Sequence, residues 1–131
     1  MKVKRILFAC VHNSGRSQMA EAFARQSLPN AIEVNSAGTN PGNEVNPLVI
    51  KAMKEKGIDI SDKRPTLLTE DMVKQTGRVI TMGCSIKDIC PSMHVATEDW
   101  PLNDPKGKTL EEIRIIRDEI ERRVKSLFGS T

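Results

Sequence analysis

Cys10-Val11-His12-Asn13-Ser14-Gly15-Arg16-Ser17 places a thiol and a guanidinium six positions apart across a short polar loop. The run before the loop is apolar and the run after it has helical spacing. The loop therefore lies where a strand ends and a helix begins. Such a turn aims several backbone N–H groups at one point beside the positive end of a helix, which suits a phosphate-like oxyanion. A cysteine in the same cradle makes it fit for covalent attack as well as for binding. A helix N-terminus and a neighbouring arginine favour the thiolate. Arg16 can grip two oxygens of the anion and offset charge that develops in the transition state. Val11, His12, Asn13, Ser14 and Gly15 complete the cradle, the last three tolerating special backbone angles or close approach of an anion. A buried, inert strand-end cysteine is the plainer reading of Cys10, and the loop's context argues against it.

Two further groups have chemistry available. Asp104, in Asn103-Asp104-Pro105-Lys106-Gly107, sits in a loop from which a carboxyl can project and protonate an oxygen leaving a tetrahedral anion. Taken locally it is an ordinary turn aspartate, and only association with the cysteine loop lifts it above that. Cys84 and Cys90 are too far apart for a Cys-x-x-Cys redox pair. With His94 they offer three zinc ligands, lack a fourth and match no familiar finger spacing. The alternative, preferred here, is a pair of relay thiols working with Cys10. His12 and His94 otherwise read as a loop residue and a surface or strand-edge side chain.

The elements that must position these groups alternate along the chain. Strands are expected at Lys4–Cys10, Ile32–Ala37 and Arg78–Met82, with a weaker one at His94–Thr97. A helix is expected over Ser17–Leu28, where Ala20, Phe23, Ala24 and Leu28 lie near helical spacing. Another starts at Asn46-Pro47, a cap followed by proline at the first helical position, and closes near Gly57. Thr69–Gln75 is a short helix. Thr109 and Glu112 have capping-box spacing ahead of a stripe of Ile113, Ile116, Ile120, Val124 and Leu127, read as core. Short β–α alternation predicts an α/β fold: a three-layer open sheet of four parallel strands with helices on both faces. Ligands in such sheets bind beyond the carboxyl ends of the strands. Cys10 follows the first strand and Cys84 the third, so their thiols can meet over one site.

Composition sets the bounds. The 131 residues predict a single domain over 1–131 with a sizeable core. The net charge of +3 is mild and interleaved, which gives nucleic-acid binding no support. No apolar run is long enough to span a membrane, and Ile6–Val11 is too short for a signal segment, so the expected setting is cytoplasmic. Three cysteines in that setting point to reactive or metal-binding thiols and not a disulfide framework. With the apolar stripes assigned to the core, a monomer is expected.

Several separated motifs share an order with a known family: Cys10–Glu21, Ser36-Ala37-Gly38, Val45-Asn46-Pro47, Thr81-Met82-Gly83-Cys84, Cys90-Pro91, Asp104-Pro105-Lys106-Gly107 and Ile116–Ile120. On these the chain resembles, over nearly its whole length, the arsenate reductases that share the fold of low-molecular-weight protein tyrosine phosphatases. The resemblance implies Cys10 as nucleophile toward arsenate, Arg16 and the loop amides as oxyanion holders, Ser17 as support for the thiolate and Asp104 as acid. It further implies a disulfide cascade through Cys10, Cys84 and Cys90, closed by thioredoxin or a similar thiol reductant, with no bound cofactor. Some relatives hold potassium through positions matching Asn13 and Glu21. The aspartate that should complete that set is absent, Arg64-Pro65-Thr66 standing there, so no metal is expected. Glu21 then reads as a solvated helix residue and Ser36 as a support for the loop. The rival activity is that of a phosphotyrosine phosphatase acting through a Cys10 phosphocysteine. It lacks use for Cys84 and Cys90, and such enzymes place aromatics beside the Asp-Pro, where this chain has Lys106-Gly107. A non-catalytic metal- or anion-binding regulator using Cys84, Cys90 and His94 is the third possibility.

Overall fold

A computed structural model describes residues 4–27, 32–76, 78–82 and 96–128. Its strands are β1 (Lys4–Cys10), β2 (Ile32–Gly38), β3 (Arg78–Thr81) and β4 (Ala96–Asp99). They form one sheet in the order β2-β1-β3-β4, every pair parallel, with Cys10 opposite Gly38 and Ala9 opposite both Ala37 and Thr81. The helices are α1 (Arg16–Ser27), α2 (Pro47–Lys54), α3 (Glu70–Gln75) and α4 (Leu110–Phe128).

The period-two alternation of β1 divides the interior. Ile6, Phe8 and Cys10 face the larger core, made with α1, α2 and α4, while Leu7 and Ala9 face a smaller one with Val73 of α3. Helices thus cover both faces, as the β–α alternation predicts. Cys10 shares its face with α1, the helix that its own loop opens. On α4, Ile113, Ile116, Ile120 and Val124 are buried and Leu127 is partly so, in contact with the larger core. Each such side chain stabilises the fold by roughly 1.5–3 kcal/mol through removal from water.

Local signals set the element ends. Asn46 caps α2, its side chain accepting from the Leu48 amide at 2.9 Å ahead of Pro47. The helix closes in a Schellman turn, Gly57 N–H to Lys54 O and Ile58 N–H to Met53 O, for which Gly57 takes φ +77°. Thr69 caps α3, and Thr109 and Glu112 form the expected reciprocal box at the start of α4. Boundaries move slightly. α1 begins at Arg16, β2 runs on to Gly38, and the β3 ladder stops at Thr81, although the Met82 amide still donates to Ala9 O at 2.7 Å. β4 reaches Asp99, two residues past its expected end, because pairing with Arg78–Thr81 carries it there. Asp99 and Glu98 are poor strand formers, and Asp99 is held by the Thr81 hydroxyl at 2.7 Å. Leu28, Cys84, Cys90 and His94 lie outside the described residues. Among those described, no helix is long and apolar enough to cross a membrane.

Candidate active site

The loop from Cys10 to Arg16 is gripped from outside by the segment that follows β2. Thr39, Asn40, Gly42 and Asn46 donate their amides to the carbonyls of Cys10, Val11, His12 and Ser14 at 2.8–3.1 Å. The Asn13 carbonyl accepts from the Gln18 side chain and the Gly15 carbonyl from the Met19 amide. With its carbonyls drawn outward, the loop turns its N–H groups to the inner side, where the Asn13 amide meets Cys10 Sγ and the others can face an anion. Asn13 makes the reversal at φ +51°, a conformation that asparagine tolerates better than most residues. Gly38 permits the close approach: a Cβ there would lie 2.6 Å from Val11 O and 2.9 Å from Asn13 N.

Cys10 is buried on the floor of this loop. Its Sγ accepts from the Asn13 amide at 3.1 Å and lies 2.8 Å from Ser17 Oγ. That hydroxyl oxygen already accepts from Asn13 Nδ2 at 2.7 Å, so its own proton is free to point at sulfur. The Asn13 amide is itself oriented, because Oδ1 accepts from Thr66 N at 2.8 Å and Gln18 Nε2 at 3.1 Å. Two donors converging on a sulfur suit a thiolate, which accepts and does not donate.

Arg16 is buried beside the loop. One terminal nitrogen donates to Leu102 O at 3.1 Å and the other lies 3.7 Å from Asp104 Oδ2, while Nε is buried with no partner among the described residues. An orphaned guanidinium N–H costs free energy unless a ligand completes it. Asp104 arrives on the loop after β4, which is anchored by Trp100. That indole packs 5.9 Å from the Phe8 ring, and its amide donates to Thr81 O. Oδ1 of Asp104 accepts from the Lys106 amide at 3.0 Å, the turn contact its local sequence suggested; Oδ2 stays on the Arg16 side. Pro105 rests against Gly15, where a Cβ would come within 2.9 Å of the proline ring.

Together these groups line a pocket of about 240 Å³ with Cys10 inside and His12, Glu44, Pro47 and Lys106 around it. His12 donates from Nδ1 to Asn40 O at 3.1 Å. Of the loop residues named from the sequence, Cys10, His12, Ser14, Gly15 and Arg16 line the pocket. The Asn13 side chain turns away behind the loop, and Val11 is outside the lining, its carbonyl accepting from the Asn40 amide. Gln18 and Thr66, which orient Asn13, carry no local sequence signal; their role exists only once residues 13 and 66 meet.

Glu21 corrects an expectation. It is buried, not solvated: Ser36 donates to Oε1, and Oε2 takes Arg25 Nε at 2.8 Å and Lys63 Nζ at 3.4 Å. The carboxylate lies over β2 on the inner side of α1, paired with a guanidinium and an ammonium and accepting from a hydroxyl. A potassium ion does not fit these residues. The Glu21 carboxylate and Asn13 Oδ1 already accept from protein donors, and an ammonium stands beside Glu21.

A parallel α/β sheet with a cysteine beneath an outward-braced loop defines the phosphatase-like class of anion-pocket proteins. The profile of the low molecular weight phosphotyrosine protein phosphatase family matches residues 5–131. An arsenate reductase of Staphylococcus aureus strain Newman is 44% identical over 124 residues, covering 92% of this chain and 93% of its own. One from Brevibacillus brevis is 41% identical over 130 residues, covering 98% and 96%. The solved thioredoxin-dependent arsenate reductase of Corynebacterium glutamicum superposes with a TM-score of 0.82 at 41% identity, covering 98% of this chain, which spans 61% of that structure's chain. The chain belongs to the low molecular weight phosphotyrosine protein phosphatase family, among its arsenate reductases.

Proposed function

We propose that the protein reduces arsenate to arsenite by a three-thiol cascade within a single domain spanning residues 1–131. Arsenate enters with its oxygens toward the loop amides and the unpaired Nε–H of Arg16. The Cys10 thiolate attacks arsenic(V), and an arsenate oxygen leaves as water after taking a proton from Asp104. Cys84, as thiolate, then attacks Cys10 sulfur. The sulfur–arsenic bond breaks with its electron pair passing to arsenic, which departs as arsenite, arsenic(III). A Cys10–Cys84 disulfide remains. Cys90 attacks Cys84, frees the Cys10 thiolate and leaves a Cys84–Cys90 disulfide, which thioredoxin or a similar dithiol reduces. Two electrons pass from protein to arsenic in each turnover.

The observation that carries this reading is the pairing of a doubly hydrogen-bonded Cys10 sulfur with a buried arginine whose Nε–H lacks a partner among the described residues. The relay gains support from topology. Met82 is bonded to Ala9, the residue before the nucleophile, and Cys84 follows Met82 by two residues, a chain reach of about 7 Å. Phosphotyrosine is disfavoured as substrate because no Phe, Tyr or Trp is among the described residues lining the pocket.

Free thiols counted after anaerobic arsenate treatment without reductant test the proposal. The expected result is a fall from three to one, with no fall under phosphate. The Cys84→Ser variant should bind the anion and release no arsenite. Normal turnover by that variant would overturn the cascade.

A further inference from the structure

The lining of the pocket falls into two groups that touch different stretches of chain. Asp104, on the loop after β4, stands 3.7 Å from Arg16, and Lys106 follows it. His12 instead meets the segment after β2, which supplies Gly42, Glu44 and Asn46 to the same pocket. The first group contains the arginine that grips the anion and the acid assigned to the departing oxygen. The second contains an imidazole that has no task in the cascade.

The His12 ring is half-buried and its orientation is fixed. Nδ1 lies 3.1 Å from Asn40 O, a carbonyl that can only accept, so Nδ1 carries the proton. Asn40 is held in turn, its amide donating to Val11 O at 2.8 Å, while the Gly42 amide and the Ser14 hydroxyl both reach His12 O. In the neutral ring Nε2 is then an acceptor, and Asn40 O is the ring's one polar partner among the described residues. Bracing alone does not call for an imidazole, because four backbone amides already hold the carbonyls of the loop. A ring turned by Nδ1 toward Asn40 brings its other nitrogen to the pocket, where it is preorganised for a ligand that donates.

We propose that His12 is a further substrate-binding residue that selects a protonated oxyanion: its Nε2 accepts from the O–H that arsenate retains near neutral pH. The inference rests on the reading of this pocket as the arsenate site. The loop amides, Arg16 and Lys106 are donors and suit the deprotonated oxygens. The remaining hydroxyl needs an acceptor. Glu44 also lines the pocket, but it is exposed, and its negative charge repels a dianion. Imidazole accepts with no charge of its own. Sulfate has the shape and charge of the arsenate dianion and carries no proton near neutral pH, so it sets an oxygen lone pair against that of Nε2. A site built around a ligand hydroxyl rejects the analogue that lacks it, since the polar group of the site is left unpaired. His12 thereby separates arsenate and phosphate from sulfate.

The test measures phosphate and sulfate binding to the full, reduced chain by calorimetry at pH 8, where free imidazole is neutral and phosphate keeps one O–H. The native chain should bind phosphate more tightly than sulfate. Two variants divide the nitrogens of the ring. In His12→Asn the amide nitrogen takes the place of Nδ1 and keeps the bond to Asn40 O, with nothing at the position of Nε2. In His12→Gln the longer amide reaches that position, where its oxygen can accept, and the tie to Asn40 is lost. His12→Asn should bind phosphate about tenfold more weakly, the worth of one hydrogen bond to an anion, and sulfate as the native chain does. Its Tm without anion should be unchanged. His12→Gln should keep the preference for phosphate. Arsenate turnover in His12→Asn should fall through a higher KM with kcat little changed, because Cys10 and Asp104 are untouched. Equal losses for the two anions in His12→Asn, or a loss for neither, would overturn the proposal. If His12→Asn does not fold, His12→Gln decides alone, and equal affinities for the two anions there would overturn it. A phosphate preference that vanishes in His12→Asn, in a chain that forms no arsenite, would sink the reductase reading and leave the selection by His12 standing.

Discussion

At the scale of single residues, the site depends on small groups that let backbone approach backbone. Gly38 and Gly57 separate two reasons for glycine. Gly38 is needed for space, since a Cβ would sit against the carbonyl of Val11 and the amide of Asn13, neither of which can swing aside. Gly57 is needed for its φ of +77°, with nothing near enough to clash. Gly38→Ala should therefore cost about 1–3 kcal/mol of stability through overpacking, and it should also displace the amides that face the anion. Gly57→Ala should cost about 1–2 kcal/mol through its left-handed backbone alone. Thermal melts and arsenate turnover on both variants check this. Both should melt lower, and only Gly38→Ala should lose activity in the cold, where both are folded. Retained activity in Gly38→Ala would show that the loop is held in some other way.

Among the elements, the junction of α2 with α4 shows a strong electrostatic signature. Glu55, just past α2, receives Arg114 from α4 at 2.6 Å and Arg117 at 2.8 Å, while Arg117 also caps the Ala52 carbonyl. The hydrogen bonds from Arg114, and then those from Arg117, hold the Glu55 carboxyl well down, at about 2 against an ordinary 4.5. A carboxyl lowered in the folded state stabilises the fold above its unfolded value and loses that contribution as pH falls through the folded one. Glu55→Gln should thus melt below the native chain at pH 7. The gap should close between about pH 4.5 and 2, and it should narrow in 1 M salt because the carboxylate is exposed to solvent. A gap that is constant with pH would mean packing and not charge. The same junction shows what was legible in the sequence. The caps at Asn46 and Thr109 and the stripe on α4 are local patterns, visible because the interacting residues lie within one or two turns. The partnerships of Glu55 with residues 114 and 117, of Asn13 with Thr66, and of Glu21 with Lys63 join distant segments. No local spacing encodes them. Glu21 read as solvated for that reason, its charge outweighing a position that faces β2.

For the whole molecule, the pocket is a junction of three stretches of chain: the Cys10–Arg16 loop, the segment after β2 and the loop after β4. Arg16 links the first to the third through Leu102 O, and Asp104 approaches the same guanidinium. An oxyanion bound there would complete the unpaired Arg16 Nε–H and tie these segments together in the folded state, while the unfolded chain offers it nothing. Binding then raises stability by mass action, by about 2.7 kcal/mol at a ligand concentration one hundred times Kd. For a chain of this length that corresponds to a Tm higher by roughly 10 °C. Inorganic phosphate is a suitable probe because it has the shape and charge of arsenate and leaves the thiols reduced. Tm should climb with the logarithm of phosphate concentration, measured against chloride at the same ionic strength. Arg16→Ala should abolish the climb, and its own Tm without phosphate should also fall, because the contacts to Leu102 O and Asp104 are lost with the buried side chain. An equal climb in Arg16→Ala would place the anion elsewhere on the surface. In that case the buried guanidinium would be a structural tie between α1 and the β4 loop, with no part in holding substrate.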